Sequence, residues 1–314
     1  FDYRFLNEQF KAHGFKQLSI PAVDTVELTQ ILYPTLDSFQ LEDIAAFLDY
    51  TLSDAHDALA DADATVHIFQ KLYERALSLP LVTLEKLHYL ATCTTHNTNL
   101  FFERVLEEAL ELLEPLDENL VIINQIAIRK PDSYEERAVN TWEKQSYPET
   151  VEEKKKFIAQ GHDFREVQAN MMDLVHGYFK EDLSIQKLAI EAPPGMGKSM
   201  GYLFPILFET TLEKKIVIST YTTLLQEQLL NDTIPKIEEV FGRQVPTTLL
   251  KSRNHYLSLS IFERWLREVE PKNSEAYLCM RVLVWLTDTK TGDLSEMNAG
   301  SHLDLQFWQE IRVT

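Results

Sequence analysis

The sequence predicts an α/β protein, and three observations support that prediction. Two short apolar runs, 188–190 and the β-branched 216–218, have the composition of buried strands. Each run is followed by a helical pattern, one from about Lys198 and the other over 222–231. A turn rich in Pro and Gly separates the first run from its helix. This order predicts two parallel strands joined by a crossover helix.

The first 80 residues predict helices. The longest pattern covers 56–77, and Asp24 is expected to cap a helix or lie in a loop rather than bind a metal. Asp57 and Asp63 are expected to be solvated helix charges. Three shorter helices are marked by Phe5, Leu6 and Phe10, by Leu28, Ile31 and Leu32, and by Leu41, Ile44 and Leu48. The long helix is marked by Ala58, Ala62, Val66, Phe69 and Leu72.

Composition excludes several classes of protein. The 314 residues carry 30 Lys and Arg against 49 Asp and Glu, a net charge of −19, so nucleic-acid binding through overall charge is excluded and any such site must be local. No apolar run approaches roughly 18 residues, which predicts no membrane span and no membrane partner. Only two cysteines occur, Cys93 and Cys279, which predicts a reducing compartment and a cytoplasmic protein.

Changes in pattern divide the chain into three segments. Residues 1–82 and 151–314 have the alternation of apolar runs and helices found in folded domains, whereas 83–150 is acidic, helical and interrupted by Pro, Asp and Ser. The chain starts at Phe1, in what has the pattern of the middle of a domain, and ends without a polar tail. We therefore expect it to be an internal piece of a longer protein.

One motif in the third segment predicts phosphate binding. The string Ala192-Pro193-Pro194-Gly195-Met196-Gly197-Lys198-Ser199 fits the A/G-x-x-x-x-G-K-S/T loop between an apolar run and a helix. Successive backbone N–H groups and a helix N-terminus make a concave anion site there. Lys198 is expected to reach the β- and γ-phosphates of ATP, and Ser199 to offer its hydroxyl to Mg²⁺.

Residues on both sides of the loop resemble superfamily 2 helicases. Arg165 and Gln168 resemble the adenine-reading motif of that superfamily. The stretch 217–230 resembles its motif Ia, which implies contacts to nucleic acid from Thr220, Thr222 and Gln226. The stretch 249–259 is similar to the Lys-Gly-Arg-x-Asn-Tyr-x-Cys segment of the XPD/DinG branch, in which the cysteine ligates an iron–sulfur cluster. Ser258 stands at that position, and a cluster needs about four thiolates, so we expect no cluster and an ordinary helix-start serine.

A second resemblance covers the first segment. His56-Asp57-Ala58-Leu59-Ala60-Asp61-Ala62 matches the His-x-Ala-x-x-Asp-Ala motif of DnaQ-like, DEDDh-type 3′-5′ exonucleases, and 1–6 resembles the end of the preceding motif. The resemblance implies Asp2 and Asp61 as metal ligands and His56 as general base. Carboxylates suit the two Mg²⁺ ions that promote phosphodiester hydrolysis.

Together these motifs resemble the DinG-type exonuclease–helicases of Gram-positive bacteria. The resemblance implies the C-terminal part of a ribonuclease-H-like exonuclease domain in 1–82, a helical linker in 83–150, and the N-terminal part of a P-loop RecA-like parallel-sheet motor domain in 151–314. It implies a hydrolase that uses ATP and Mg²⁺ on single-stranded DNA or a 3′ end, in repair or replication-associated processing. Protein partners stay open.

The chain by itself is expected to be less active than the whole protein that the resemblance implies. The family motif with the first Asp and Glu of the nuclease does not occur in it, and neither does an Asp-Glu-Ala-His string after Ser199. We expect ATP binding that is weak at best and without turnover, and no nuclease activity. Two alternatives for the whole protein remain, namely a nucleotide-gated exonuclease that does not unwind DNA, and a nucleotide-binding scaffold. A P-loop kinase is the least favoured alternative, because motif Ia has no function in a kinase.

Overall fold

The chain divides into two units. Unit 1 comprises 1–133 and 252–314, and unit 2 comprises 134–251. The computed structural model describes residues 2–52, 57–94, 97–131, 146–158, 165–180, 187–210, 215–268, 273–297 and 302–314. Residues 252–314, grouped with 151–251 in the sequence-based division, therefore pack with the N-terminal helices.

The described elements are mostly helices. Unit 1 begins with α1 (Asp2–Ala12), α2 (Thr25–Leu32), α3 (Leu41–Phe47), α4 (Ala58–Leu77), α5 (Leu81–Ala91), α6 (Thr98–Leu112), β1 (Leu120–Ile123) and β2 (Ile126–Arg129). Unit 2 contains α7 (Val151–Ile158), α8 (Glu166–Lys180), α9 (Lys198–Leu207), α10 (Thr223–Gln228), a π-helical turn (Leu229–Thr233) and α11 (Ile234–Phe241). Unit 1 ends with α12 (Leu259–Glu268), α13 (Asn273–Asp288) and α14 (His302–Ile311), and has short 3₁₀ turns at Arg253–His255 and Leu294–Glu296.

The helices predicted in the first 80 residues are all present. The expectation for Asp24 is confirmed, since its carboxylate accepts hydrogen bonds from the backbone N–H groups of Val26 (2.8 Å) and Glu27 (3.1 Å) at the start of α2. Asp57 caps α4 in the same way through the N–H of Ala60, at 3.2 Å. These caps satisfy donors that have no partner within the helix.

The buried face of α4 shares one residue with the apolar pattern that predicted the helix. Of the five apolar positions in that pattern, only Leu72 is fully buried, and Val66 is 57% exposed. The buried stripe is Ala64, Ile68, Leu72 and Ala76. Both stripes have helical spacing, so the choice between them depends on the positions of α2, α3 and α6, which pack against α4.

Helix α13 is the centre of unit 1. It contacts α2, α5, α14 and β2, and Trp285 and Cys279 in it are fully buried. The indole Nε1 of Trp285 donates to Glu296 at 2.9 Å, so its polar atom is satisfied despite burial. A helix enclosed on so many sides explains why most residues of 276–286 are apolar.

A β-hairpin lies where the sequence predicted only helix and linker. β1 and β2 pair antiparallel, with Leu120 opposite Arg129 and Ile123 opposite Ile126. Asn124 and Gln125 between them both have positive φ, 50° and 64°. A two-residue turn with two positive φ values matches the twist of a hairpin, and Asn tolerates this conformation better than most residues.

The parallel strands predicted in unit 2 are not formed in the described residues. Residues 187–193 and 215–220 contain neither helix nor strand, so the β1–β2 hairpin is the only sheet in the described ranges. Val217 is 91% exposed, whereas a central strand buries both faces. An extended run becomes a strand only when a neighbour supplies hydrogen bonds, and neither run has one here. The helices predicted after the runs are present as α9 and as α10 with its π-helical turn.

Unit 2 has its own core. Aromatic residues of α9 and α11 form its centre, with the rings of Phe204 and Phe241 5.4 Å apart. A second, smaller cluster consists of Met171, Val175 and Ile206 and joins α8 to α9. Because both clusters involve α9, the helix that follows the glycine loop is held on two sides.

No helix in the described parts of the chain is both long enough and apolar enough to cross a membrane.

Candidate nucleotide site

The predicted phosphate-binding string forms a loop that requires glycine at two positions. Gly195 and Gly197 have φ of +79° and +80°, in the left-handed region that costs other residues about 1–2 kcal/mol. Gly197 is also the N-cap of α9, whose first residue is Lys198. The N–H groups in the first turn of a helix have no helical partner and point out of its N-terminus. The loop therefore has the backbone form that an anion site needs.

Two side chains from the start of α8 hold this loop. Gln168 is 8% exposed, and its amide Nε2 donates to the carbonyl oxygen of Gly197 at 2.8 Å. The guanidinium of Arg165 donates to the carbonyl oxygen of Gly195. A Cβ on Gly197 would lie 2.2 Å from Gln168 Nε2, so the close approach also requires glycine. The structure thus brings the Arg-x-x-Gln motif and the glycine loop together.

Lys198 bends back over the loop that precedes it. Its ammonium donates to the carbonyl oxygens of Pro193 (3.1 Å) and Ala192 (3.4 Å), and the side chain is exposed. Hydrogen bonds from an ammonium to a charged phosphate are stronger than those to neutral carbonyls. Within the described part of the chain, the ammonium of Lys198 therefore contacts neutral acceptors of the loop.

Ser199 lies in the first turn of α9, partly buried beside Tyr202. Burial raises the pKa of the Tyr202 phenol, and a hydrogen bond with Ser199 opposes that rise. The remaining members of the motif, Pro194 and Met196, contribute backbone to the turn, and Met196 packs against the cluster of Met171, Val175 and Ile206. The backbone N–H groups of the loop and the Lys198 ammonium fit the phosphates of a nucleotide. The Ser199 hydroxyl oxygen fits one hard cation.

The three residues that resemble motif Ia lie around α10. Thr222 caps α10 by accepting from the N–H of Leu225 (3.3 Å), and the Thr220 hydroxyl donates to the carbonyl oxygen of Thr222 (3.0 Å). Gln226 Nε2 donates to the carbonyl oxygen of Leu250 at 3.3 Å. These local bonds order the segment, and the assignment of DNA contacts to it stays a prediction.

The predicted nuclease residues are only partly described. Asp61 lies in the first turn of α4 and is half-buried. His56 and the side chain of Asp2 lie outside the described residues, so the site that the exonuclease resemblance implies stays a prediction. In the described ranges, no three His, Cys, Asp or Glu side chains are placed to share a metal ion.

Ser258 precedes α12, as expected of a helix-start serine. Its hydroxyl oxygen accepts from the backbone N–H of Ile261 at 3.4 Å, and its own N–H donates to the carbonyl oxygen of Ile311 at 2.8 Å. Of the two cysteines, Cys279 is buried in α13, and burial raises the pKa of its thiol, while Cys93 is partly exposed. The absence of an iron–sulfur cluster remains a prediction.

One polar cluster was not anticipated from the sequence. Tyr147, Lys154, Asp173 and His176 contact one another in unit 2, and Lys154 is only 1% exposed. No motif marks these residues, and a lysine in a charged stretch such as 152–156 is normally expected at the surface. The sequence signal that could have indicated burial is the amphipathic pattern of α7, which places Lys154 on the inner face of that helix.

Comparison with known proteins first defines a class. A protein of Bacillus subtilis named "3'-5' exonuclease DinG" is 32% identical over 307 residues, which cover 96% of this chain and 32% of that protein. A protein of Staphylococcus aureus (strain USA300) with the same name is 30% identical over 317 residues, covering 100% of this chain and 34% of the relative. The chain thus spans about a third of the length of these curated relatives, which are exonucleases by name.

The family follows from these matches. Along its whole length the chain is related to the DinG-type family, and the resemblance inferred from the motifs is confirmed. No family model matches the chain. No solved structure matches it either.

Proposed function

We propose that this chain is the nucleotide-binding part, with a portion of the nuclease, of a cytoplasmic DinG-type enzyme that processes DNA. In this proposal the whole protein is an ATP-dependent DNA helicase and 3′-5′ exonuclease, active in DNA repair or replication-associated processing. The observation that carries the nucleotide site is the pair of hydrogen bonds from Arg165 and Gln168 to the carbonyl oxygens of Gly195 and Gly197.

Those bonds favour ATP, rather than an arbitrary anion, as the ligand of the glycine loop. A loop that binds only phosphate needs its own backbone and Lys198, but not a second helix. Here the first turn of α8 approaches the loop closely enough to exclude any side chain at Gly197. Arg165 and Gln168 therefore lie beside the phosphate site, where an adenine joined to those phosphates would meet them. ATP hydrolysis would supply the free energy for strand separation in the whole protein.

For the cation, the proposal assigns one oxygen ligand. Ser199 would offer its hydroxyl to Mg²⁺, and the phosphates would supply further oxygens, as is usual for this ion. For DNA, Thr220, Thr222 and Gln226 would contact the backbone through hydroxyl and amide groups. Such neutral contacts are compatible with the net charge of −19, because they position a strand without a strongly basic surface.

The nuclease assignment depends on the DinG-type relationship. Asp2 and Asp61 would hold divalent cations, and His56 would take a proton from the attacking water. Asp61 is half-buried at a helix start, where the helix dipole stabilises a carboxylate. We expect no nuclease activity and no ATP turnover from the 314-residue chain alone.

Nucleotide titration tests the central part of the proposal. The 314-residue chain is titrated with a fluorescent ATP analogue in the presence of Mg²⁺, together with its Lys198→Ala and Lys187→Ala variants. Both lysines are exposed in unit 2, so Lys187→Ala controls for the loss of one positive charge. We expect binding that Lys198→Ala weakens at least about tenfold, because the ammonium–phosphate contact is lost. Equal affinities for all three proteins, or no binding by any, would contradict the proposal.

A nuclease assay tests the remainder. Single-stranded DNA labelled at its 5′ end is incubated with Mg²⁺ and either the 314-residue chain or the complete protein. We expect shortening from the 3′ end by the complete protein only, and its loss in Asp61→Asn, with Asp63→Asn as the matched control on the same helix. Robust degradation by the shorter chain would show that the site residues within it suffice.

A second candidate is a nucleotide-gated exonuclease that does not unwind DNA. It is favoured by the names of the relatives, which mention an exonuclease and no helicase. A duplex with a single-stranded tail separates the two possibilities. Separation of intact strands by a nuclease-inactive Asp61→Asn complete protein supports the helicase, whereas nucleotide binding without separation supports the gated nuclease.

A further inference from the structure

Tyr147 lies between the two helices that form the nucleotide site. Its ring is stacked on His176 of α8, with centroids 3.9 Å apart and an angle of 15°, and meets the edge of Phe208, which follows α9, at 5.3 Å. Its hydroxyl donates to the carboxylate of Asp173 on α8 at 2.9 Å. Burial and the contact with Asp173 raise the pKa of the phenol, so it stays protonated and can donate.

Lys154 completes this arrangement from the side of α7. Its ammonium donates to Asp173 Oδ1 and to the carbonyl oxygen of Glu149, both at 2.8 Å, and lies 5.2 Å from the centre of the Tyr147 ring. A cation that is 1% exposed is tolerated only when its hydrogen bonds are satisfied, so these contacts determine its position closely. Tyr147, Lys154 and Asp173 together form one contact group, the anchor.

The anchor contacts the middle of α8 and the C-terminal end of α9, whereas the glycine loop lies at the N-terminal ends of both helices. Asp173 and His176 follow Gln168 along α8 by one to two turns, while Phe208 lies just beyond the end of α9 that is far from Lys198. Between them the helices are in close contact, since a Cβ on Gly201 would lie 2.9 Å from Met171 Sδ. Closely packed helices transmit a shift at one end to the other because their interface cannot deform continuously.

We propose that the anchor positions the glycine loop. By fixing α8 against α9, it sets Gln168 within hydrogen-bonding distance of Gly197 and keeps the loop in the form that binds phosphate. Tyr147, Lys154 and Asp173 are positioning residues in this proposal, because they touch neither the loop nor a nucleotide. The proposal depends on the nucleotide function only for its second readout.

The first readout is native-state hydrogen exchange of the 314-residue chain, which needs no nucleotide. Tyr147→Phe removes the bond to Asp173 and keeps the ring, whereas Tyr147→Ala removes both. Tyr178→Phe removes a hydroxyl from the same helix α8 and serves as the control. We expect the amides of Gly201–Phe204, in the first turns of α9, to exchange about three- to tenfold faster in Tyr147→Ala, with Tyr147→Phe intermediate and Tyr178→Phe unchanged.

The amides of α10 separate positioning from general stability. They belong to the same unit, and no residue of α10 lies in either buried cluster of that unit, so a merely structural role would accelerate both sets equally. Equal acceleration, or none at Gly201–Phe204, overturns the proposal.

The second readout is the affinity for the ATP analogue, which we expect Tyr147→Ala to lower about three- to tenfold at temperatures where the variant is folded. An unchanged affinity in a variant that weakens α9 would also overturn the proposal. If the unaltered chain binds no nucleotide, the proposed function fails, and hydrogen exchange alone decides on the anchor.

Discussion

Gln168 donates a hydrogen bond to the carbonyl oxygen of Gly197 at 2.8 Å, so the glutamine of the Arg-x-x-Gln motif also holds the glycine loop. An amide NH₂ has two donors and its oxygen is an acceptor, so this bond leaves one donor and one acceptor for a ligand. That remaining pair is complementary to the N7 and N6–H₂ edge of adenine. One side chain can therefore support the loop and read the base at the same time, as the proposed function requires.

The first prediction concerns Gly197→Ala. Alanine would be strained at φ +80°, and its Cβ would displace the Gln168 amide. We expect the free energy of unfolding of unit 2 to fall by about 1–3 kcal/mol and nucleotide binding to be lost. Urea denaturation followed by circular dichroism, with nucleotide titration of the folded protein, measures both.

Gly177→Ala is the matched control for that substitution. Gly177 lies within α8, does not need a positive φ, and leaves open space where the Cβ of an alanine would lie, with no neighbouring heavy atom within 4 Å. Alanine there should raise stability by about 0.5–1 kcal/mol, because helix formation costs glycine more entropy. A Gly197→Ala protein as stable as the Gly177→Ala protein would contradict the strain at the loop.

The second prediction concerns the cap of α2. Asp24→Ala removes the acceptor of two backbone N–H groups, and we expect unit 1 to lose about 1 kcal/mol of stability. Urea denaturation followed by tryptophan fluorescence reports this loss, since Trp265, Trp285 and Trp308 lie in unit 1. Asp63→Ala on the exposed face of α4 should change stability by less than about 0.5 kcal/mol. Similar losses from both substitutions would argue against a specific cap.

Local chemistry could be predicted from the sequence better than packing could. The cap at Asp24 and the start of α9 at Lys198 depend on residues within one turn, and both were predicted correctly. The inner face of α4 and the burial of Lys154 depend on helices distant in sequence, and the sequence alone does not specify them. The hairpin at 120–129 had a local signal, two β-branched runs around Asn124, which the acidic surroundings obscured.

The two strands expected in unit 2 illustrate a different limit. Their composition is that of buried parallel strands, but a strand exists only through hydrogen bonds to a neighbour. Sequence patterns predict what a segment would form in the right surroundings, and the surroundings of 188–190 and 216–218 contain no such neighbour among the described residues. The glycine loop between them keeps its form because α8 holds it.

The third prediction distinguishes the two cysteines. Cys279 is fully buried in α13, and burial raises the pKa of its thiol, so it presents neither access nor thiolate to a reagent. Cys93 is partly exposed after α5. A thiol reagent such as DTNB should modify Cys93 in the native protein and Cys279 only on unfolding. Cys93→Ser should therefore remove the native reaction, and rapid labelling of that variant would contradict the burial of Cys279.

The last prediction concerns pH and His176. Burial lowers the pKa of this histidine, as does the charge of Lys180, and these effects outweigh the opposing ones of Glu209, Asp173 and Glu149. The unfolded chain then binds a proton at a pH where the folded protein does not, so stability is complete above pH about 6.5 and declines as the pH falls below it. We expect a lower melting temperature for unit 2 at pH 5.5 than at pH 7.5.

His176→Phe keeps a ring against Tyr147 but cannot titrate, and its melting temperature should depend less on pH over the same interval. Because carboxylates also titrate near pH 5, the test is the difference in pH dependence between the two proteins. An equal pH dependence of both melting temperatures would assign the effect to groups other than His176.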